Sequence, residues 1–324
     1  MGRSCTQTQS LDNQHLTNNS ILIVGTGALA TLFAARLSAA GVFVTMLGTW
    51  EEGLASLKNK GLRVDGDDQV FQVRATNNPV DCMGMRFALV LVKTWQTERV
   101  ARQLLTCLTE DGVALSLQNG LGNDTILASA LGFPRVALGV TTLGARLLAP
   151  GLVCLAGEGP VSLESLPRLF PLEEMIHRAG FSVEMVDNVQ SLVWGKLVVS
   201  SAINPLTALL RVTNGELLTS PSARALMGAL ACETAMVAHK LGVALPFADP
   251  ERAVVEVAQR TAENRSSMLQ DVLRGAPTEI DAINGAVVRL AEERNLQVPV
   301  NRTVCSLVRA IPVRGKIAGV GGII

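Results

Sequence analysis

Lys196 is the residue of this chain best placed by type and surroundings to do chemistry. It sits in Val193-Trp-Gly-Lys-Leu-Val-Val-Ser-Ser-Ala-Ile-Asn-Pro-Leu-Thr-Ala-Leu209, a run that is otherwise mostly apolar. A lysine on such a segment either snorkels its amine to water or is held at a cleft by a partner. An ammonium held that way can hand a proton to an oxygen on which negative charge is building. Ser200 and Asn204 follow Lys196 at intervals of four, so the three polar groups share one face of a predicted helix. A polar stripe on an apolar helix suits a cleft wall; a partly exposed stripe is the plainer alternative. The helix is predicted over Val189–Ala202, with Pro205 stopping it.

Two further stretches carry more polar groups than packing needs. In Thr261-Ala-Glu-Asn-Arg-Ser-Ser-Met-Leu-Gln-Asp271, Asn264, Ser266 and Ser267 are short, uncharged hydrogen-bonding groups ahead of an apolar turn. They suit a carboxylate or hydroxyl ligand, and they equally suit capping of a Met268–Leu273 helix. In Pro277-Thr-Glu-Ile-Asp-Ala-Ile-Asn-Gly285, Thr278 reads as a cap of a helix over Glu279–Arg294. Glu279 and Asp281 would then lie in its first turn and complement the helix dipole.

A proton donor needs something to act on, and the N-terminal part supplies a place for a cofactor. Ile21–Val24 is a short buried strand, followed by Gly25-Thr26-Gly27-Ala28-Leu29-Ala30, a helix over Thr31–Ala40 and a second strand over Val42–Leu47. This is the β–GxGxxA–α–β arrangement of a dinucleotide-binding unit. Gly25 permits the tight turn, Gly27 lets backbone N–H groups approach a pyrophosphate, and Ala30 allows close helix–strand packing. After the second strand an acid would mark an NAD ribose and an arginine an NADP phosphate. Thr49 and Trp50 stand there instead: one can donate a single hydrogen bond to a phosphate, the other can stack on adenine, and a plain surface turn fits both. Strands over Phe87–Val92 and Val113–Leu117 end at Lys93 and at Gln118-Asn119-Gly120. Ligands of open α/β sheets sit at the carboxyl ends of strands, so Lys93 and Asn119 are expected to face the same crevice as the glycine loop. A solvated lysine and an Asn-Gly turn are the alternatives.

The elements that must hold these residues follow. Arg63–Val73 reads as a hairpin, Lys93-Thr-Trp-Gln96 leads a helix to Leu108, and Val136–Thr142 with Leu152–Leu163 extends the sheet. A helix over Pro167–Ala179 and a strand over Val183–Val186 complete the first domain, with Asp187-Asn188 as boundary. Beyond it helices dominate: Val189–Ala202, Pro221–Leu241, Pro250–Ala262, Glu279–Arg294 and Asn301–Ala310. The fold class is therefore α/β, an N-terminal Rossmann-type dinucleotide-binding domain over 20–187 followed by an all-helical domain over 188–312. A disordered leader over 1–19 and a flexible tail over 313–324 flank them.

The whole chain of 324 residues is 48% apolar, 17% charged and 3% aromatic, with no tyrosine. That suits aliphatic, closely packed cores and argues against disorder. Lys plus Arg equals Asp plus Glu at 28 each, so no global basic field would recruit nucleic acid. The six cysteines lack metal-type spacing and read as reduced thiols of a cytoplasmic protein. No metal site is expected, and no apolar run of membrane-spanning length is seen.

The motifs GTGALA at 25–30, LVKTWQ at 91–96, QNGLG at 118–122, WGKLVVSSAINPLTALL at 194–210, NGEL at 214–217, TAENRSSMLQD at 261–271 and TEIDAINGAVV at 278–288 together resemble the ketopantoate reductase (2-dehydropantoate 2-reductase) family. The resemblance runs from about Ile21 to Arg309. It implies a Rossmann domain and a helical domain with the active site between them, and reduction of 2-dehydropantoate to (R)-pantoate with NADPH in pantothenate synthesis. By motif, Lys196 resembles the family's catalytic lysine and Glu279 the acid that supports it or the substrate hydroxyl. Lys93 and Asn119 resemble residues at the nicotinamide and substrate side. Asn204, Asn264, Ser267 and, more weakly, Asn214 resemble substrate-binding positions. Two departures stand out: Ser200 replaces a usual asparagine, and Thr49 stands where an arginine often grips the 2′-phosphate. The partner implied is a small 2-oxo acid. A homodimer is an open arrangement for the chain. Ser200 keeps a second reading alive, a reductase for another branched 2-oxo acid; a non-catalytic dinucleotide-binding sensor is the third.

Overall fold

The computed structural model describes residues 19–313, and the expected leader and tail, apart from Asn19 and Val313, lie outside the described residues. Two units divide the chain. One runs to Gln118 and resumes over Asn123–Val189; the other takes Asn119–Gly122 and the chain from Gln190 onward.

The first unit is built on β1 (Ser20–Val24), β2 (Phe43–Leu47), β3 (Arg63–Val64), β4 (Arg74–Thr76), β5 (Met85–Val90), β6 (Leu108–Ser116), β7 (Val136–Thr141), β8 (Gly144–Ala149), β9 (Leu152–Gly157), β10 (Val161–Glu164) and β11 (Val183–Val186). The main sheet has eight strands in the order β11-β10-β7-β6-β5-β1-β2-β4. From β4 to β7 every pairing is parallel, and β10 joins β7 antiparallel. This is the doubly wound order, whose direction of winding reverses between β1 and β5. Its helices are α1 (Ala28–Ala39), α2 (Glu51–Lys60), α3 (Thr97–Cys107), α4 (Asn123–Leu131) and α5 (Phe170–Arg178).

Strand periodicity decides which helices cover which face. Ile21 and Ile23 of β1 point into a core shared with Phe33 and Leu37 of α1 and Leu172 and Ile176 of α5. Leu22 and Val24 point the other way, into Val100 and Leu104 of α3 and Leu127 of α4. A strand buried on both faces has no polar alternation, which is why β1 reads as continuous apolar sequence. Each aliphatic side chain so buried contributes roughly 1.5–3 kcal/mol.

Two sheet expectations need correction. Arg63–Val73 forms no hairpin: its Phe71 makes an isolated antiparallel bridge with Leu62, just before the segment, while β3 pairs parallel with β9. Leu152–Leu163 does not extend the main sheet as one piece. Its first half, β9, lies between β3 and β8 in a separate three-stranded sheet, and only β10 joins the large one.

The second unit is helical: α6 (Val189–Leu210), α7 (Pro221–Lys240), α8 (Pro250–Arg260), α9 (Ser267–Leu273), α10 (Asn284–Glu293) and α11 (Pro299–Arg309). Helices α7 and α8 start where Ser220 and Asp249 accept N–H bonds from Ala223 and Arg252, each with proline next in line. Helix α6 is the centre. Trp194, Leu197 and Ala208 pack with Val287 and Ala291 of α10, while Val198, Ala202 and Leu206 pack with Met227 and Leu230 of α7. By length and composition alone α6 could cross a membrane, with 22 residues and a mean hydropathy of 1.3 in its most apolar window; 61% of that window is buried in the protein. It is the core helix of this unit.

The predicted stop at Pro205 is wrong, and its correction is informative. Helix α6 continues through Pro205 to Leu210. Proline has no N–H, so the carbonyl of Ser201 loses its helical donor. Asn284, fully buried on α10, donates its side-chain amide to that carbonyl at 2.9 Å. The same amide reaches Asn301 Oδ1 at 2.9 Å, and Asn301 donates to Glu233 Oε2 at 2.9 Å. Tertiary partners thus repair the defect that would otherwise end the helix. Replacing Asn284 by Leu leaves Ser201 O and Asn301 Oδ1 without this donor, and urea denaturation should show a loss of about 2–3 kcal/mol. Adding Pro205→Ala returns a backbone N–H to Ser201 and should recover about 1 kcal/mol of it; a double variant no more stable than Asn284→Leu refutes the repair.

Candidate active-site residues in the two units

In the first unit the glycine loop lies at the carboxyl ends of β1, β2 and β5. Gly25 N donates to Leu47 O at 2.8 Å, and Leu91 N donates to Val24 O at 2.9 Å. Gly25 has φ +128°, and a Cβ there would lie 3.0 Å from Leu91 O, so both conformation and space demand glycine. Thr26 packs against Gly48, whose missing side chain leaves it room. Gly27 is the N-cap of α1; it offers no capping side chain, and no acid follows in the first turn. The N–H groups that begin a helix have no intrahelical acceptor, and a Cβ at Gly27 would meet nothing within 4 Å. A backbone donor set at the positive end of a helix, opening on free space, fits the pyrophosphate of a dinucleotide.

Thr49 is exposed just past β2, and Trp50 covers Gly53 of α2, whose Cβ would lie 2.3 Å from the indole. That contact takes one face of Trp50 onto its own helix. Lys93 stands just past β5, ahead of Thr94-Trp95-Gln96, a single 3₁₀ turn. Behind it, Gln118 donates to Val92 O at 3.0 Å and Thr97 Oγ1 at 2.8 Å, and Thr97 donates to Asn123 at 2.9 Å. This buried relay ties the ends of β5 and β6 together. The sequence reading passed over it because glutamine and threonine carry no chemical signature of their own. It also passed over Arg99, in the first turn of α3, which donates to Thr49 Oγ1 at 3.3 Å and to Gln96 Oε1 at 2.5 Å.

In the second unit the loop Asn119–Gly122 packs on the segment before α10. Leu121 N donates to Ala282 O at 2.9 Å, and Gly120 has φ +75° with its Cβ position 2.4 Å from the same oxygen. No other residue fits there. The loop thereby carries Asn119 to Glu279, whose Oε2 accepts from Asn119 Nδ2 at 3.2 Å. Glu279 is 5% exposed. The expected helix over Glu279–Arg294 begins only at Asn284, because Ile283 leaves helical geometry at φ −98°, ψ −95°. Glu279 and Asp281 therefore do not serve a helix dipole, and Thr278 caps no helix. Asp281 instead pairs with Arg309, and Glu279 turns to Asn119 and Lys196.

Lys196, Ser200 and Asn204 keep partial exposure while Leu197, Val198 and Ser201–Ile203 between them are buried. Gly195 admits Pro246 so closely that a Cβ would lie 2.6 Å from its ring. Lys196 retains some accessible surface as a residue, yet its amine is enclosed. Desolvation pulls its pKa down to about 8 from the 10.5 of an ordinary lysine, against the Glu279 carboxylate, which holds it up. An acid of that strength is matched to proton donation near neutrality.

The remaining candidates gather in a second cluster. Asn214 N donates to Asn264 O at 3.0 Å, and Asn214 Nδ2 to Thr261 Oγ1 at 2.9 Å. Asn264 is exposed and Asn214 is buried, its Oδ1 without a hydrogen-bond partner. Ser266, held by Thr207 Oγ1 at 2.7 Å, caps α9 by accepting from Leu269 N, and Ser267 follows it, partly exposed. No group of three or more His, Cys, Asp or Glu suited to a metal occurs among the described residues.

A doubly wound sheet with an open glycine loop, and a helical unit holding a weakened lysine beside a carboxylate, define a class of oxidoreductase candidates. Comparison with known proteins narrows the class. Residues 21–168 match the family model "Ketopantoate reductase PanE/ApbA", and residues 188–312 match its C-terminal counterpart. The chain is 39% identical over 297 residues to the 2-dehydropantoate 2-reductase of Archaeoglobus fulgidus, covering 90% of this chain and 97% of that one. It is 34% identical to the enzyme of that name from Halobacterium salinarum, over 89% and 97%. Among solved structures, a PanE/ApbA family ketopantoate reductase from Ralstonia eutropha superposes with a TM-score of 0.85 at 31% identity, over 90% and 98%. The chain belongs to the ketopantoate reductase family of oxidoreductases.

Proposed function

We propose that this protein reduces 2-dehydropantoate to (R)-pantoate with NADPH, with Lys196 as proton donor. The observation that carries the reading is the lysine itself, weakened to about 8 and facing a buried Glu279 that Asn119 hydrogen-bonds. NADPH, when bound, supplies the hydride that is added to C2 of the keto acid. The glycine loop over residues 25–30 holds its pyrophosphate through backbone N–H groups, and Lys93 and Thr49 belong to the same binding set. As C2 is reduced, the keto oxygen gains negative charge; the Lys196 ammonium stabilises it and transfers a proton to it, leaving a neutral amine and a hydroxyl. Glu279 keeps Lys196 charged in its desolvated setting, and Asn119 fixes Glu279. Ser200, Asn204, Asn214, Asn264 and Ser267 are the substrate-binding set of this reading, with Ser267 at the carboxylate. The reading includes a cytoplasmic location and a place in pantothenate synthesis; Cys82, Cys107, Cys154, Cys232 and Cys305, the cysteines among the described residues, are free thiols, which supports the former.

Ser200 favours a second reading, reduction of another branched 2-oxo acid, because a serine is shorter than the asparagine usual there. Steady-state assays across 2-oxo acids with NADPH and NADH decide between them. The highest kcat/KM is expected with ketopantoate and NADPH; a clear preference for a different 2-oxo acid overturns the first reading in favour of the second.

A further inference from the structure

We propose that Arg99 is the residue that makes this protein select a 2′-phosphorylated dinucleotide. The inference rests on the reading that the first unit binds NADPH, and it concerns where the required positive charge comes from. The residue after β2 that would face the adenine ribose is Thr49, which carries no charge, and α2 opens on two exposed acids, Glu51 and Glu52. Left to these residues, the end of β2 would repel a phosphate dianion.

Arg99 reaches the same place from a different element. It lies in the first turn of α3, and its Nη1 donates to Thr49 Oγ1 at 3.3 Å while Nη2 donates to Gln96 Oε1 at 2.5 Å. The two bonds hold the guanidinium at the end of β2. The bond to Thr49 also has a direction: the hydroxyl oxygen accepts from Arg99, so its own proton is left to donate elsewhere. Charge and hydroxyl proton are thus presented together, and each terminal guanidinium nitrogen has a second N–H beyond the one bonded to Thr49 or Gln96. A planar fork of this kind suits a phosphate better than an ammonium does. The chain thereby recovers, from α3, the arginine that its β2 end lacks.

Titration calorimetry with adenosine 2′,5′-bisphosphate and with AMP tests this directly, since neither compound takes part in the reaction. Arg99→Met should weaken the bisphosphate about 10- to 100-fold, the range for losing hydrogen bonds to a charged group, and leave AMP unchanged. In assays the KM for NADPH should rise by a similar factor with kcat and the KM for NADH held. Arg99→Lys should fall between the two, because it keeps charge and loses the fork. Thr49→Val provides a milder variant that retains Arg99, with a smaller loss confined to the bisphosphate. Equal affinity of Arg99→Met and the unsubstituted protein for the bisphosphate overturns the proposal, as does a parallel loss of AMP, which would make Arg99 merely structural. Failure of the underlying reading looks different: the unsubstituted protein then binds neither NADPH nor NADH, and the proposal falls with it.

Discussion

Replacing Lys196 by Ala should lower kcat by about 100-fold or more, the range for losing a general acid, while binding of NADPH stays within about twofold of the starting protein. The two halves of that result carry different information. Lys196 lies in the helical unit, on α6, and the glycine loop lies at the carboxyl ends of β1, β2 and β5, so a defect confined to proton donation leaves dinucleotide binding intact. A defect in folding would lower both. The substitution also removes the cation opposite Glu279, which is 5% exposed and keeps its bond from Asn119. Circular dichroism and a melting curve therefore accompany the kinetics. Near-normal turnover of a folded variant ends the assignment of Lys196 as proton donor.

Glu279→Gln should act through pH rather than uniformly. In the proposed mechanism keto reduction needs the ammonium form of Lys196, so kcat/KM of the unsubstituted protein should fall as pH rises through about 8. Two opposing causes set that value: desolvation lowers it and the Glu279 carboxylate raises it. Glutamine keeps an oxygen that can accept from Asn119 Nδ2 but removes the negative charge. Desolvation then acts unopposed, the lysine weakens further, and the alkaline limb moves toward lower pH. Activity at pH 6 should stay within a few-fold of normal, while at pH 8.5 it should be about fivefold or more below, since the protonated fraction falls tenfold for each 1.36 kcal/mol of lost stabilisation once pH exceeds the pKa. A limb that stays in place, with an equal loss at every pH, would mean that Glu279 contacts substrate instead of tuning Lys196.

What could be read from sequence here is what depends on local spacing. The run Ile21–Val24 followed by Gly25, Gly27 and Ala30 specifies strand, tight turn and helix within a dozen residues, because strand burial and turn geometry are short-range properties. The polar face Lys196–Ser200–Asn204 follows from helical periodicity alone. Where the structure departs from local spacing, a distant residue supplies the missing partner. Pro205 should have ended α6, and it did not because Asn284, far along the chain, donates to the orphaned Ser201 carbonyl. By residue type Glu279 fits a helix dipole as well as a site; the dipole role fails because no helix begins there, and the loop at Asn119–Gly122 packs on Ala282 and brings Asn119 to it. Thr49 carries no charge of its own, and Arg99 from α3 stands beside it. Local spacing alone is thus enough to specify the Rossmann-type unit and the helical unit, and to single out Lys196 as the candidate proton donor. What surrounds that lysine, and with it a pKa of about 8 in place of 10.5, comes from the folded chain alone, because desolvation and charge pairing depend on groups brought together from afar.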